Sequence, residues 1–359
     1  MAAKKPKSRS SPAKEGMPKS LLKDLRGLIE SSRERVATQV NAEITLLYWQ
    51  VGDRIRKDLL KNKRAEYGKG IVDTVSQQLE PDFGKGFSRP NLFHMVRFAE
   101  VFPESEIVYS LSRQLSWTHF RDLIYIEDSL KRDFYAEMCR VERWSTRTLR
   151  AKIRGMLFER TAISKKPEEV AQKELDQLRE EDQLTPDLVF KDPYFLDFLG
   201  LADTHNEKDI ESAILRELES FLLEVGTDFA FVGRQKRITV DNEDYYLDLL
   251  FYHRRLARLV AIELKLDKFK AADKGQLELY LRWLDRYERQ PGEGSPIGLI
   301  LCAGKSSEHV ELLELEKSGI RVAEYLTELP PRDLLEKKLH QALLLAKERL
   351  ALADGKQED

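Results

Sequence analysis

The stretch Tyr245–Lys265, YYLDLLFYHRRLARLVAIELK, constrains the fold more than any other part of the chain. Two runs rich in Tyr, Leu, Val and Ile flank a polar break at residues 253–258. Such runs are typical of half-buried strands, and a break this short predicts a β-hairpin. The chain must therefore contain at least one antiparallel pair of strands in its C-terminal half.

Three charged side chains, Asp248, Glu263 and Lys265, interrupt these two strands. If the loop has four residues, Arg254–Ala257, Asp248 lies opposite Glu263; a two-residue loop places it opposite Ala261 instead. Side chains alternate along a strand, so the three charges point to the same face in both registers. The exact pairing stays open, whereas the convergence of the three charges does not.

Two interpretations of this convergence are available. Two buried carboxylates repel each other unless a cation neutralises them, and a divalent cation does so efficiently. Alternatively, Glu263 and Lys265 form an exposed salt bridge on the solvent face of the sheet, with Asp248 beside them. A pattern this short occurs by chance, so its surroundings in the sequence must decide between the two.

Composition indicates a protein with two domains. The chain has 359 residues with 42% hydrophobic content, which is enough for two cores. No apolar run reaches the length of about 18 residues that spans a membrane, and the first residues contain no apolar signal segment. Cys139 and Cys302 form neither a metal-ligand spacing nor a disulfide framework. We therefore expect a cytoplasmic protein with no membrane partner.

Charge is unevenly distributed along the chain. Residues 1–160 have 31 Lys and Arg against 21 Asp and Glu, whereas residues 161–359 have 29 against 41. Basic residues concentrated in one part of a chain neutralise phosphates, and an acidic excess is expected around metal-binding carboxylates. Solvated helices that carry these charges are the alternative explanation.

The N-terminal half reads as helical. Residues 1–16 are rich in Lys, Ser and Pro and predict a disordered tail, whereas residues 17–160 predict a basic helical domain that binds nucleic acid. A helix that ends before Pro81 is followed by a Gly-containing turn and by a helix capped by Ser88, with Pro90 in its first turn. This outline is that of a helix-turn-helix, although packed helices joined by a short turn have the same pattern.

A basic helix ends this domain and is predicted to contact phosphate. Ser145 or Thr146 caps it, and its cationic side chains are Arg143, Arg147, Arg150, Lys152 and Arg154. Residues 161–186 are charged and contain few large apolar side chains, so they are expected to form a linker.

Residues 187–335 predict an α+β core, and residues 336–359 a terminal helix and tail. The expected order is α-β-β-β-α-β-α-β, which gives a mixed sheet with helices on both faces. Besides the hairpin, the predicted elements are helices at residues 207–225, 268–289 and 306–317 and strands at residues 229–240, 296–303 and 320–326.

This order of elements, with an acid on the second strand and ExK on the third, resembles the restriction-endonuclease-like core of the PD-(D/E)xK nuclease superfamily. Members often carry a glutamate on the first helix, and Glu211 lies within about 50° of the centre of the apolar face there. Glu217 is the next candidate. Gln276 and Tyr280 are similar to the QxxxY signature of one branch of the superfamily. One departure is that Leu247 replaces the proline of the motif.

At family level, GTDFAFVGRQKRITV, YYLDLLFYHRRL, IELK, GQLELYL and PIGLILC resemble the YhcG-like bacterial family. Members combine a C-terminal PD-(D/E)xK nuclease domain with an N-terminal helical domain of unknown function. FGKGFSRPNL, LSWTHF and WSTRTLRAKI resemble that N-terminal domain. The similarity runs from about residue 21 to residue 326. The resemblance implies nuclease chemistry and leaves repair, recombination or defence against foreign DNA as the process.

The resemblance also implies roles for individual residues. Asp248, Glu263 and the backbone carbonyl of Leu264 are expected to bind Mg²⁺, with Mn²⁺ as a substitute, and Glu211 to bind it through water or to hold a second ion. Lys265 is expected to orient the attacking hydroxide or to neutralise phosphoryl oxygens. The remaining candidates, for positioning the substrate backbone or Lys265, are Gln235, Gln276 and Tyr280.

Several alternatives remain open at this stage. The fold is also compatible with a catalytically silent nucleic-acid-binding or regulatory protein, and the same metal chemistry cleaves RNA. The expected partner is DNA, and a homodimer is one arrangement that the sequence allows.

Overall fold

The computed structural model describes residues 19–62, 65–200, 206–226, 228–328, 330–331, 333–341 and 343–344. They belong to two compact units, Met1–Ile124 and Tyr125–Asp359. The predicted N-terminal tail, residues 1–16, lies outside the described residues. In the part of the chain that is described, no helix is both long enough and apolar enough to cross a membrane.

The first unit is helical, as predicted. A helix of 44 residues, α1, leads it. Gly52 of α1 lies so close to α3 that a Cβ atom there would come within 1.9 Å of the Met95 carbonyl oxygen. The described helices are α1 (Lys19–Asn62), α2 (Ala65–Phe83), α3 (Arg89–Val101), α4 (Ser105–Ser112) and α5 (Trp117–Leu123).

The turn between α2 and α3 differs from the predicted one. The helix does not end before Pro81 but continues to Phe83, because proline in the last turn removes only one backbone hydrogen bond. The chain turns instead at Gly84, whose φ of 84° suits glycine. Ser88 precedes α3 in an extended conformation without a side-chain capping bond, and Pro90 lies in the first turn as predicted.

The second unit begins with helices that precede the sheet. Ser145 caps α7, and its side chain accepts a hydrogen bond from the backbone N–H of Thr148. These helices are α6 (Ser129–Glu142), α7 (Thr146–Arg154), α8 (Leu157–Arg160), α9 (Glu168–Glu181) and α10 (Pro186–Val189).

The linker predicted for residues 161–186 is instead folded. Leu175 and Leu178 of α9 are buried. Glu137 of α6 is fully buried and accepts hydrogen bonds from Arg140 at 2.7 Å and from Arg179 of α9 at 2.8 Å. The charges that suggested a linker therefore pair with a neighbouring helix, which a count of apolar residues does not show.

A mixed sheet forms the core of this unit, as predicted, but it has six strands rather than the five predicted, because a short first strand at Tyr194–Phe195 pairs parallel at its edge. Its order is β1-β6-β5-β4-β3-β2. β2, β3 and β4 pair antiparallel, whereas β4, β5, β6 and β1 pair parallel. The strands are β1 (Tyr194–Phe195), β2 (Phe229–Val240), β3 (Glu243–His253), β4 (Arg258–Lys268), β5 (Ile297–Gly304) and β6 (Ile320–Leu326).

Helices cover both faces of the sheet. The predicted first helix is two helices, α11 (Glu207–Arg216) and α12 (Leu218–Val225), because Glu217 leaves the helical conformation at ψ 32°. They pack on the face that includes Val260 and Ile262, whereas α13 (Ala271–Tyr287) packs on the face that includes Ala261. α14 (Ser307–Leu312) is shorter than predicted. Residues 333–341 are helical, and the predicted tail from residue 345 lies outside the described residues.

Candidate active site

The hairpin of β3 and β4 has the four-residue loop. His253 pairs with Arg258, and the register continues to Leu249 opposite Ile262. The next position along brings Asp248 level with Glu263. Beyond Leu249 the backbone pairing of β3 with β4 ends, and the side chain of Asp248 contacts β4 instead.

Asp248 is anchored to the neighbouring strand. Its Oδ2 accepts a hydrogen bond from the backbone N–H of Leu264 at 2.9 Å. Burial raises the pKa of Asp248, while the bond from Leu264 and the charge of Lys265 act in the opposite direction. The side chain of Leu264 itself is buried on the other face of the sheet, among the residues that pack against α11 and α12.

Glu263 is buried, and only one of its two carboxylate oxygens accepts hydrogen bonds from the described residues. Its Oε1 accepts hydrogen bonds from Lys265 Nζ at 3.0 Å and from Gln276 Nε2 at 3.1 Å. Among the described residues, no donor reaches Oε2. Burial, together with the charge of Asp248, raises the pKa of Glu263 to about 7. This carboxylate is therefore held close to the point at which it loses its charge.

The ion pair between Glu263 and Lys265 is not a surface salt bridge. The exposed fractions of the two side chains are 4% and 18%. Burial acts to lower the pKa of Lys265, but the charge and hydrogen bond of Glu263 outweigh it, so the net shift is upward. The alternative of an exposed pair on the solvent face is wrong for this chain.

Gln235 of β2 joins the two remaining acids. Its Nε2 donates to Glu211 Oε2 at 2.8 Å and to Asp248 Oδ1 at 3.1 Å. The backbone of Gln235 has a φ of 46°, a conformation that residues other than glycine rarely adopt. Glu211 lies on α11 and is 7% exposed, whereas the second candidate, Glu217, is exposed.

The QxxxY pair lies on α13, which packs on the face of the sheet opposite to α11 and on the same side as Glu263. Gln276 Nε2 donates to Tyr280 Oη at 2.7 Å as well as to Glu263. Tyr280 is 1% exposed, and burial raises its pKa. Tyr280 therefore helps to orient the amide of Gln276, which also donates to Glu263.

The basic residues around α7 form a separate group. Arg143, Arg147, Arg150 and Arg154 are exposed. Lys152 is half-buried and donates from Nζ to the backbone carbonyl of Leu223 at 3.0 Å. Burial lowers the pKa of Lys152, so this lysine is engaged within the fold rather than presented to solvent.

One acid near the site was not among the predicted residues. Glu207 begins α11, and its negative charge contributes to the raised pKa of Lys265. Its spacing of four residues from Glu211 places both on the same side of the helix, which is the pattern that could have identified it.

The residues present fit a divalent cation in donor type. Two carboxylates approach each other, and one buried oxygen, Oε2 of Glu263, lacks a hydrogen-bond donor among the described residues. Within that same part of the chain, no three Asp, Glu, His or Cys side chains stand in a ready-made ligand cluster. Carboxylate oxygens are the donors that hard divalent cations prefer.

Comparison with known proteins identifies the family of this chain. A family model described as the YhcG PDDEXK nuclease domain matches residues 187–342, and one described as the DUF1016 N-terminal domain matches residues 24–160. The curated protein "Putative nuclease YhcG" of Escherichia coli (strain K12) is 32% identical over 345 residues, which cover 87% of this chain and 91% of that protein. The chain belongs to the YhcG family. Its C-terminal domain is a nuclease domain of the PD-(D/E)xK class.

Solved structures match only part of this chain, at low similarity. A repair endonuclease from Pyrococcus abyssi is 22% identical with a TM-score of 0.25, and an EndoMS–dsDNA complex is 19% identical with a TM-score of 0.28. Each match covers 36% of this chain, and this chain spans about half of the length of those proteins, 50% and 48%.

Proposed function

We propose that this member of the YhcG family is a Mg²⁺-dependent nuclease that hydrolyses phosphodiester bonds in DNA. The observation that carries the proposal is the buried Glu263, whose Oε2 has no donor among the described residues and whose pKa is raised to about 7 beside Asp248. A divalent cation would supply the partner that this buried carboxylate oxygen lacks and would offset the repulsion between the two carboxylates.

The cation ligands in this proposal are Asp248, Glu263 and the backbone carbonyl of Leu264, with Glu211 acting through water. Mn²⁺ would substitute, since the same oxygen donors suit it. When bound, a divalent cation lowers the pKa of its water and stabilises the negative charge of the transition state. Gln235 keeps Glu211 and Asp248 together because its amide donates to both.

Lys265 contributes a positively charged side chain to the proposed site. Its ion pair with Glu263 raises its pKa, so the ammonium stays protonated at neutral pH and cannot act as a general base. In this proposal Lys265 orients the attacking hydroxide or neutralises the phosphoryl oxygens of the substrate. Gln276 donates to the same Oε1 of Glu263 and thereby limits the rotation of that carboxylate.

DNA is the substrate class that we propose. The basic balance of residues 1–160, 31 Lys and Arg against 21 Asp and Glu, suits the neutralisation of phosphates. Cleavage of RNA is the second outcome that the test distinguishes. The third outcome is binding without cleavage, as expected of a catalytically silent regulatory protein.

The test uses the full chain and labelled double-stranded, single-stranded and branched DNA and RNA, with Mg²⁺ or with EDTA. We expect Mg²⁺-dependent cleavage of DNA that is lost in Asp248→Asn, Glu263→Gln and Lys265→Ala. Calorimetric titration with Mg²⁺ should show weaker binding in the two carboxylate variants and retained binding in Lys265→Ala. The matched control is Asp244→Asn, which neutralises an exposed carboxylate on the same strand. Undiminished cleavage by Glu263→Gln or Lys265→Ala would refute the assignment.

A further inference from the structure

The long helix α1 has two apolar faces, and one of them packs within its own unit. On the packed face, Asn41 Nδ2 donates to the Leu115 carbonyl at 3.2 Å, and Trp49 Nε1 donates to the Phe102 carbonyl at 2.8 Å. Thr45, between them, is fully buried. This face accounts for the second half of α1 only.

The other apolar face is exposed. Val36 and Thr45 are nine residues apart, which places them about 180° apart around the helix at 100° per residue. The exposed side chains on the Val36 side, with their exposed fractions, are Leu25 (43%), Leu28 (67%), Ile29 (53%), Val36 (58%), Val40 (52%), Ile44 (42%) and Leu47 (45%). We call these seven residues the outer stripe. A helix with apolar residues on opposite sides requires a partner on each side, and within the described chain only one side has one.

The spacing of the outer stripe suits a long helical partner. Leu25, Val36 and Leu47 recur every eleven residues, as do Ile29 and Val40. A period of 3.67 residues per turn keeps an apolar seam along one side of a nearly straight helix. From Leu25 to Leu47 the stripe runs for about 33 Å, because a helix rises about 1.5 Å per residue.

We infer that the outer stripe binds a second copy of this chain, with the two α1 helices antiparallel about a two-fold axis that crosses the stripe midway between Val36 and Val40. In this arrangement Val36 meets Val40 of the other copy, and Ile29 meets Leu47. The same register places Arg33 opposite Glu43, both of which are exposed. Every stripe contact then occurs twice, as a two-fold interface requires.

Charge favours this occupant over nucleic acid. Residues 23–47 contain four basic and four acidic side chains. A phosphate backbone selects a surface with a positive excess and few apolar groups, whereas a neutral helix with an apolar seam selects a similar helix. In the proposed register Arg33 and Glu43 of the two copies have opposite charges, and this complementarity favours a second copy over a purely apolar partner.

The first test is the mass in solution of the full-length chain, measured by light scattering during gel filtration. We expect twice the mass of one chain for the wild type. Val36→Glu buries a charge in the seam and should weaken the dimer by about tenfold or more in sedimentation equilibrium. Thr38→Glu, on the exposed opposite side of the same helix, is the matched control and should leave the dimer intact. A monomeric wild type, or a dimer unaffected by Val36→Glu, would overturn the inference.

The second test examines the antiparallel register. Arg33→Glu and Glu43→Arg should each weaken the dimer, because each places like charges opposite one another twice. The double variant Arg33→Glu with Glu43→Arg should restore the wild-type dissociation constant. Circular dichroism verifies that each variant is folded. If the double variant dissociates as much as the single ones, the two residues do not face each other and the proposed register is wrong.

Discussion

At the scale of single residues, the site is organised by amides as much as by acids. Gln235 bridges Glu211 and Asp248, and Gln276 bridges Glu263 and Tyr280. Residues that orient metal ligands often matter nearly as much as the ligands themselves. The sequence suggested Gln235 as a substrate-binding residue. Both hydrogen bonds that its side-chain amide donates go to carboxylates, so we propose a positioning role.

Substitution of Gln235 tests this role. Gln235→Ala should reduce both Mg²⁺ affinity and cleavage by about 10- to 100-fold, since the two acids lose their common donor. Gln235→Gly removes the same side chain but suits the φ of 46°, so it should be more stable than Gln235→Ala by about 1 kcal/mol. Stability comes from chemical denaturation and affinity from calorimetry. Equal Mg²⁺ affinity in the wild type and both variants would show that the Gln235 side chain does not position the two acids.

The raised pKa of Glu263 predicts how stability depends on pH. The folded-state pKa is about 7 and the ordinary value is 4.5, so the native state binds the proton more tightly than the unfolded state. The metal-free protein should therefore lose stability as the pH rises from 4.5 to 7, at up to about 1.4 kcal/mol per pH unit from this group.

Urea denaturation of the metal-free wild type and of Glu263→Gln, across that pH range, measures this contribution. Glu263→Gln lacks the titrating group. As the pH rises, the wild type should therefore lose stability relative to Glu263→Gln. Groups that do not interact with Glu263 contribute equally to both proteins, whereas Asp248, whose charge acts on Glu263, is part of the difference that is measured. A difference that does not change with pH would contradict the raised pKa.

At the scale of elements, α9 belongs to the fold of the second unit. Its Arg179 and the Arg140 of α6 both donate to the fully buried Glu137. Arg140 also donates to the Leu178 carbonyl of α9 at 2.7 Å. A buried carboxylate held by two guanidinium groups joins the two helices more specifically than apolar contact alone.

Removal of this buried charge should destabilise the protein. Glu137→Gln keeps the volume but leaves two guanidinium groups without their shared partner, and we expect a loss of about 3 kcal/mol in the free energy of unfolding. Glu181→Gln, an exposed position at the end of α9, should change it by less than about 0.5 kcal/mol. Thermal and chemical denaturation measure both. If the free energy of unfolding of Glu137→Gln falls no more than that of the control, the ion pairs of Glu137 do not stabilise the packing of α9.

At the scale of the whole molecule, the two units do not coincide with the two predicted domains. Residues 125–160, including the basic helix α7, belong to the same compact unit as the nuclease sheet. A fragment that ends at residue 160 would therefore lack the packing partners of its last helices. Experiments on nucleic-acid binding should use charge variants of the full chain.

The exposed arginines of α7 provide such a test. Arg147→Ala and Arg154→Ala should each weaken DNA binding and reduce the slope of log K against log salt by about 1, if each contacts one phosphate. Arg282→Ala, an exposed arginine of α13, is the control and should have no effect. Fluorescence anisotropy in EDTA, at several salt concentrations, measures binding without cleavage. Unchanged slopes in both α7 variants would assign nucleic-acid binding to another surface.

Apart from the short strand β1 and the break in the first helix at Glu217, the sequence by itself determined the hairpin, the order of strands and helices and the common face of Asp248, Glu263 and Lys265. These follow from properties that are local along the chain: alternation in strands, helical spacing and the length of one loop. The pairing of His253 with Arg258 confirms the loop, and the i, i+4 spacing placed Gln276 beside Tyr280. Resemblance to a known family added the roles that spacing alone leaves open.

Only the tertiary structure decided what these residues contact. Burial of Glu263, the bridge through Gln235 and the packing of α9 on Glu137 all join residues far apart in the sequence. No local pattern contains the desolvation that raises the pKa of Glu263, or shows that charges at residues 161–186 meet an opposite charge rather than water. Long-range packing decides both, because it determines which polar groups lose their contact with solvent.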